Sequence, residues 1–464
     1  MKPLRCVSIL RRGSRSLLAK GVFAIGLMAA GHAWAVCTRV SYPPSTVRPP
    51  TAPGYVDPRY GTHAEWTGAT NAAGASGLPP SVNISSTTFQ PDGTLLASGS
   101  ASFLSLGLES YTPEQVLFRC DAGDASSLFE FYATNGDAIW GGRHEDGAAF
   151  GLPGAYRTHF NGMVIRVTHA ASGNYFMRHW QARQLTGLDR DGQGKILVKA
   201  KNFSDVRVEL FRVSNEAFAK GEDNSGNYTR ARPAAYIAFK GGGLASPLNV
   251  GQDSAVHKEG WSRLWPGAVS LYNRLMVRRS ATCSVSHVTP TVEFTTLSVA
   301  QLESGATQQL SVDIAFRCQT GAPANSGLAP FESGTGAGRT AMGVLVPVAN
   351  YQAAQAEGLT VAGGAATFLL SDGYGQAGVA GGVGVQLSHA TGGGAMFLLG
   401  NDQVTGGGVG AGWYPVLHGA GSTGVSSGVT SYTKRLNATL KKIPGKSVTP
   451  GRFNARAQVV IRVQ

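Results

Sequence analysis

Hydrophobic and polar residues alternate most strictly at the C-terminal end. Phe453, Ala455, Ala457, Val459, Ile461 and Val463 fall on one face of an extended chain. Arg452, Asn454, Arg456, Gln458, Val460, Arg462 and Gln464 fall on the other. A period of two predicts a strand over 453–463, and Pro450-Gly451 supplies the turn before it. The pattern runs to the last residue, so this strand needs a partner to be stable. Leu310, Val312, Ile314, Phe316 and Cys318 alternate in the same way with Ser311, Asp313, Ala315 and Arg317. In the first half, 164–168, 195–201 and 206–213 read as strands too. Lys195, Lys199 and Lys201 share one face there, read as a solvated face that discourages edge pairing. Between 363 and 428 short apolar runs alternate with glycine turns, which predicts strands joined by long loops. No helical periodicity persists beyond two or three turns, so the expected fold class is all-β.

Composition agrees. Of 464 residues 63 are Gly and 14% are charged, against averages of about 7% and about 25%. Long helices and coiled coils are excluded, and 42% hydrophobic residues exclude a disordered chain. Residues 1–35 read as a signal peptide: Lys2, Arg5, Arg11, Arg12, Arg15 and Lys20 precede the apolar run 21–30, and Ala33-Trp34-Ala35 is a small-x-small cleavage site. Six of the 40 Lys and Arg lie in that segment and none of the 27 Asp and Glu, so the formal charge falls from +13 to +7 on cleavage. That modest, unclustered charge on an exported chain argues against nucleic acid as a partner.

Cleavage also removes Cys6 and leaves Cys37, Cys120, Cys283 and Cys318, an even number in an oxidising compartment. Three connectivities are open. Pairing between sequence neighbours gives Cys37–Cys120 and Cys283–Cys318, one per half. The halves echo each other: Phe118-Arg119-Cys120 is followed by Gly123, and Phe316-Arg317-Cys318 by Gly321. Two tandem β-sandwich domains are expected, over 36–277 and 278–464. No CxxC spacing suggests a metal, and nothing suggests a cofactor.

The Cys283…Cys318 pair, Gly451 at the fourteenth position from the end and the alternating terminal strand resemble a chaperone–usher fimbrial subunit. Val463 stands where the family usually has a penultimate Tyr, and a domain this long is larger than a typical pilin. The resemblance implies an incomplete immunoglobulin-like pilin fold that lacks its last strand. A periplasmic pilus chaperone would fill the gap first, and a strand donated by the next subunit would follow at the outer-membrane usher. Gly451, Phe453, Val459, Ile461, Val463 and Gln464 are the residues it implicates in strand complementation. An ordinary pilin carries a donor segment before its first Cys; here Val36-Cys37 opens the expected mature chain, and about 240 residues precede the pilin-like part. That layout resembles a tip adhesin, a receptor-binding domain on a pilin domain, displayed on a surface fimbrium. The alternative is a structural minor pilin or tip-adaptor subunit that binds another pilus protein.

The candidate chemistry is sparse. Trp140, Arg143, His144 and Asp146 form the best ligand segment, because an aromatic face beside charged hydrogen-bonding groups is what a surface glycan requires. Tyr175, Arg178, His179 and Trp180 form a second group, with Trp180 a candidate for the core. Gly424-Val425-Ser426-Ser427-Gly428 fits the GxSxG nucleophile pattern, the only support for a secreted hydrolase. It sits in a Gly/Ser-rich loop without the strand–turn–helix setting that chemistry needs. Asp189, Asp191 and Gln193 resemble the start of a calcium loop, but Ala200 stands where the closing Glu belongs, and a hairpin turn is expected instead. No catalytic residue and no metal site are assigned, and no enzymatic activity is expected.

Overall fold

A computed structural model describes residues 36–214, 224–244, 248–256, 261–321, 327–392, 394–401 and 405–464. The expected signal peptide lies outside the described residues. No helix among them is long and apolar enough to cross a membrane.

The fold is all-β. Four small sheets build the first half. Thr38–Arg39, Val116–Cys120, Ile196–Lys199 and Asp189–Arg190 make one, in that order. Leu95–Ala101, Val206–Arg212, Met163–His169 and Ala155–Arg157 make the second. Gly267–Val269, Ala235–Lys240, Phe129–Thr134 and Gln181–Gln184 make the third. All these neighbours are antiparallel. In the fourth, Met276–Arg279 lies between Gly226–Asn227 and Ser81–Ile84, and pairs with Ser81–Ile84 in parallel. The main core here runs from Cys37 to Val277. At its centre Phe118 stacks on Phe239 with ring centroids 4.1 Å apart and meets Trp66 edge-on at 5.7 Å. Each such pair contributes on the order of 1 kcal/mol beyond the area it buries.

The second half is a sandwich. One sheet has the order Cys283–Val288, Gln308–Gln319, Val429–Lys442, Val383–His389, with Ala420–Ser426 also on Val429–Lys442. Facing it, Thr340–Leu345 lies between Tyr414–Pro415 and Gln458–Val463. Its core runs from Cys283 to Val448 and shares no residue with the first.

Both disulfides join sequence neighbours, Cys37 to Cys120 and Cys283 to Cys318. Cys283 stands directly opposite Cys318 in the ladder. Between the halves the chain is not a bare linker. The expected boundary at 277/278 falls inside the strand Met276–Arg279. Beyond it, the Ser280 amide donates to Asn83 Oδ1 at 2.9 Å, and Asn83 Nδ2 donates back to the Ser280 carbonyl at 2.9 Å.

Two expectations need correction. The lysine face is solvated only in part: Lys201 is exposed and Lys195 half-buried, but Lys199 is 3% exposed, and its ammonium lies 2.6 Å from both Glu114 and Asp189. The strand ends there in a bulge and a short helical turn follows, so simple alternation no longer tells inside from outside. The terminal strand is also shorter than its pattern. It spans Gln458–Val463, and 453–457 is extended chain without a ladder. Alternation reports which face a side chain takes, not whether a neighbouring strand is present.

Candidate functional site

The shortened strand borders a deep groove in the second half. Gln458–Val463 pairs along one edge only, with Thr340–Leu345. Among the described residues no ladder joins its other edge to Cys283–Val288. A groove of about 910 Å³ opens there, walled by 289–297 on one side and 451–457 on the other. Its floor is apolar, with Ile314, Val344, Val385, Leu436 and Leu440 among the lining residues. Phe294, Leu297, Phe453, Ala455 and Val459 are half-buried and pack on the same core. One rim is pinned from outside. The Ala380 amide donates to the Arg452 carbonyl at 3.0 Å, and the Asp372 amide donates to that of Asn454 at 2.6 Å. Gly451 is required here, because a Cβ would stand 2.4 Å from the backbone of Val379 and Ala380. An apolar groove beside an unpaired strand edge is the general requirement for β-strand addition.

The sequence-implicated residues divide around this groove. Gly451, Phe453 and Val459 line it. Val463 and Gln464 do not, being 2% and 3% exposed at the closed end of the sheet. There Gln464 donates its amide to the Arg339 carbonyl at 2.9 Å and accepts from the Gly338 amide at 2.7 Å. Ile461 lies between these ends, partly buried against the core.

In the first half, 139–143 is one wide turn closed by the Arg143 amide donating to the Ala138 carbonyl at 3.0 Å. It passes through Gly141 at φ 110°, a conformation L side chains rarely adopt. Trp140 is half-buried, with its ring edge-on to His159 at 5.8 Å. His144 is exposed. Its pKa is held below the ordinary histidine value, first by desolvation and then by the Arg157 cation. Asp146 is buried and accepts from Arg157 at 2.5 and 3.2 Å. Arg143 donates to the carbonyls of Gly136 at 3.2 Å and Asp137 at 2.9 Å. Trp140 and His144 are therefore reachable from solvent, while Arg143 and Asp146 hold the loop in shape.

Other motifs resolve into structure. Trp180 is fully buried, with its ring 5.1 Å from that of Trp265. Arg178 makes a bidentate pair with Asp253 at 3.0 and 2.6 Å. Ser426 ends a hairpin strand, and Ser427 and Gly428 form its turn at positive φ, so no helix follows. Asp191 sits in a hairpin turn, accepting from the amides of Gln193 at 2.9 Å and Lys195 at 3.0 Å and from Arg119 at 2.8 Å. The described residues contain no group of three potential metal ligands. A line from Ser172 Oγ to His169 Nδ1 at 2.9 Å and on to Glu130 at 3.2 Å was not foreseen. His169 is fully buried, and Glu130 is already held by Arg183 at 2.8 Å and the Ser204 amide at 2.9 Å, so the line clasps a turn.

Sequence reasoning missed a pocket of about 200 Å³ beside the Trp140 turn. Asn135, Asp137, Arg232, Tyr236, Trp261 and Trp265 are among its lining residues. They come from three separated stretches of chain, so no spacing pattern marks them.

Residues 269–464 match the family model described as Fimbrial protein. No curated protein sequence matches the chain. Among solved structures, it is similar to the P pilus rod subunit PapA, at 19% identity over 39% of this chain and 99% of that one, with a TM-score of 0.24. It is similar to the CupB6 tip adhesin from Pseudomonas aeruginosa at 12% identity, over 82% of this chain and 88% of that one, with a TM-score of 0.23. It is also similar to a chain of the CsuC–CsuE chaperone–tip adhesion subunit complex from Acinetobacter baumannii, at 10% identity over 84% of this chain and 99% of that one, with a TM-score of 0.20. With the model matched across the whole second sandwich, the C-terminal part of this chain is a fimbrial domain.

Proposed function

We propose that this chain is a fimbrial tip adhesin of a chaperone–usher pilus. Its second half, an incomplete immunoglobulin-like domain, accepts a strand. Its first half binds a surface glycan on the face that carries Trp140 and His144. The observation that carries the reading is the apolar groove of about 910 Å³ along the unpaired edge of Gln458–Val463. A periplasmic chaperone fills it during export, and the next subunit's N-terminal strand fills it after passage through the usher. Catalysis has no part in this reading.

The test is a synthetic peptide of alternating apolar residues added to the purified full chain. A ligand that binds only the folded state stabilises it by about 2.7 kcal/mol at a hundredfold excess over Kd. Melting is expected to move up by several degrees, and a Val459→Asp change in the groove wall should remove the shift. A chain whose melting ignores such peptides, and that stays monomeric without any partner, contradicts the proposal. For the first half, Trp140→Ala is expected to reduce adhesion to glycan-coated surfaces while the peptide-induced shift persists.

A further inference from the structure

We infer that the pocket lined by Asp137, Arg232, Trp261 and Trp265 is a binding site for a single uncharged sugar ring. The inference rests on the adhesin reading and deepens it by naming a site and a ligand class. Asn135 and Asp137 come from the turn after Phe129–Thr134, and Arg232 from the approach to Ala235–Lys240. Trp261 and Trp265 bracket the short helix Trp261–Leu264.

Three features select the ligand. The first is aromatic surface. Trp261 is half-buried and lines the pocket, and Trp265, 1% exposed with its ring 5.1 Å from that of Tyr236, backs it from the core. Such rings pack against the C–H face of a pyranose. The second is unspent hydrogen bonding. The indole N–H groups of Trp261 and Trp265 are buried and have no acceptor among the described residues. Buried polar groups are nearly always partnered, so two orphan donors lining one pocket call for a ligand that brings acceptors. Asn135 offers little to a ligand, because its Nδ2 already donates to the Pro233 carbonyl at 2.9 Å. The third is charge. Arg232 lies 3.1 Å from Asp137, so among the described lining residues the one cation is already met by a carboxylate. A sugar hydroxyl, donor and acceptor at once, meets both the indoles and this pair.

Size sets the limit. At about 200 Å³ the pocket is small, suited to one ring at a time. Recognition is therefore end-on, with the rest of a glycan passing out over the Trp140 turn. Arg143, bonded to the carbonyls of Gly136 and Asp137, ties that turn to the pocket edge.

Titrating the full chain with methyl α-D-mannopyranoside, methyl β-D-galactopyranoside, methyl β-D-glucopyranoside and N-acetylneuraminic acid tests this, read by tryptophan fluorescence and calorimetry. At least one neutral glycoside should bind at one site per chain, with an affinity insensitive to added salt. Asp137→Asn should weaken it at least tenfold. Trp261→Phe, which keeps an aromatic ring but removes the indole N–H with its five-membered ring, should weaken it several-fold and serves if the first variant fails to fold. Binding of the acidic sugar alone overturns the inference, as does no binding of any neutral glycoside at millimolar concentration. Glycoside binding that neither variant changes also overturns it, while leaving the adhesin reading intact. Loss of the peptide-induced melting shift would strike that reading instead.

Discussion

Lys434 is 1% exposed inside the second sandwich, on the strand opposite Ile314. Burial lowers its pKa from 10.5 to about 8. Nearby His389, whose ring lies 4.6 Å from that of His418, is lowered to about 4 by burial, with the Lys434 and His418 charges adding to the effect. The signs follow from which state holds more protons. Between about pH 8 and 10.5 the unfolded chain keeps the lysine proton that the folded chain has lost, so stability rises with pH across that window. Between about pH 6.5 and 4 the unfolded chain protonates His389 first, so stability falls as pH drops. Below pH 8 the buried lysine costs on the order of 3 kcal/mol. Lys434→Met is therefore expected to raise the melting temperature at pH 7 and to abolish the alkaline rise. Melting curves from pH 4 to 10.5 check this, and a variant less stable than wild type at pH 7 refutes it. Cys283→Ser with Cys318→Ser releases a span of 35 residues and should cost about 4 kcal/mol, measured by denaturant titration. At this scale the sequence was legible where chemistry leaves one economical pairing, as with the cysteines. It was not legible for Lys199, whose burial depends on Glu114 and Asp189 reaching it from distant segments. Nor was it legible for Asp137, Arg232 and Trp261, which only the folded chain brings together.

At the scale of the element, Gly451 and the segment after it decide how the groove is shaped. Gly451→Val would force the crossing at Val379 and Ala380 apart, since even a Cβ meets backbone at 2.4 Å. It should lower stability by about 2 kcal/mol or more and weaken capture of an alternating peptide. Thermal melting with and without peptide separates the two effects. Unchanged stability would mean that the crossing yields easily. The strands themselves were readable, because a period of two survives wherever one face meets a core. Ile314, Phe316 and Cys318 are all buried on the face their alternation assigned. Where a strand stops was not readable. The pattern continues from Phe453 to Val463, but a ladder forms only from Gln458 onward.

At the scale of the whole molecule, the two cores are separate, yet the chain passes between them through a strand that belongs to the first half. Met276–Arg279 pairs in parallel with Ser81–Ile84, and Asn83 clasps Ser280 by two hydrogen bonds. Ser85 and Ser86 approach Gln319 of the second half at 3.4 and 3.1 Å. Asn83→Ala removes the clasp and should lower stability by about 1–2 kcal/mol. Proteolysis near Ser280 should become faster than in wild type, and an unaltered rate would show that the parallel pairing alone holds the junction. No pattern in the sequence marked this arrangement, because Met276-Val277-Arg278-Arg279 is too short to show a period and its partner lies nearly 200 positions away.

That junction has a mechanical consequence. If the first half grips a surface and the second is held in a fibre, tension enters along the axis of Met276–Arg279. Its bonds to Ser81–Ile84 then bear the load together, in shear, instead of parting one after another. Four residues later the pull reaches Cys283, where a covalent bridge to Cys318 passes it into the long strand Gln308–Gln319. The path of tension thus crosses from one half to the other through parallel hydrogen bonds and a disulfide, and a chain pulled from its two ends should yield elsewhere before it yields there.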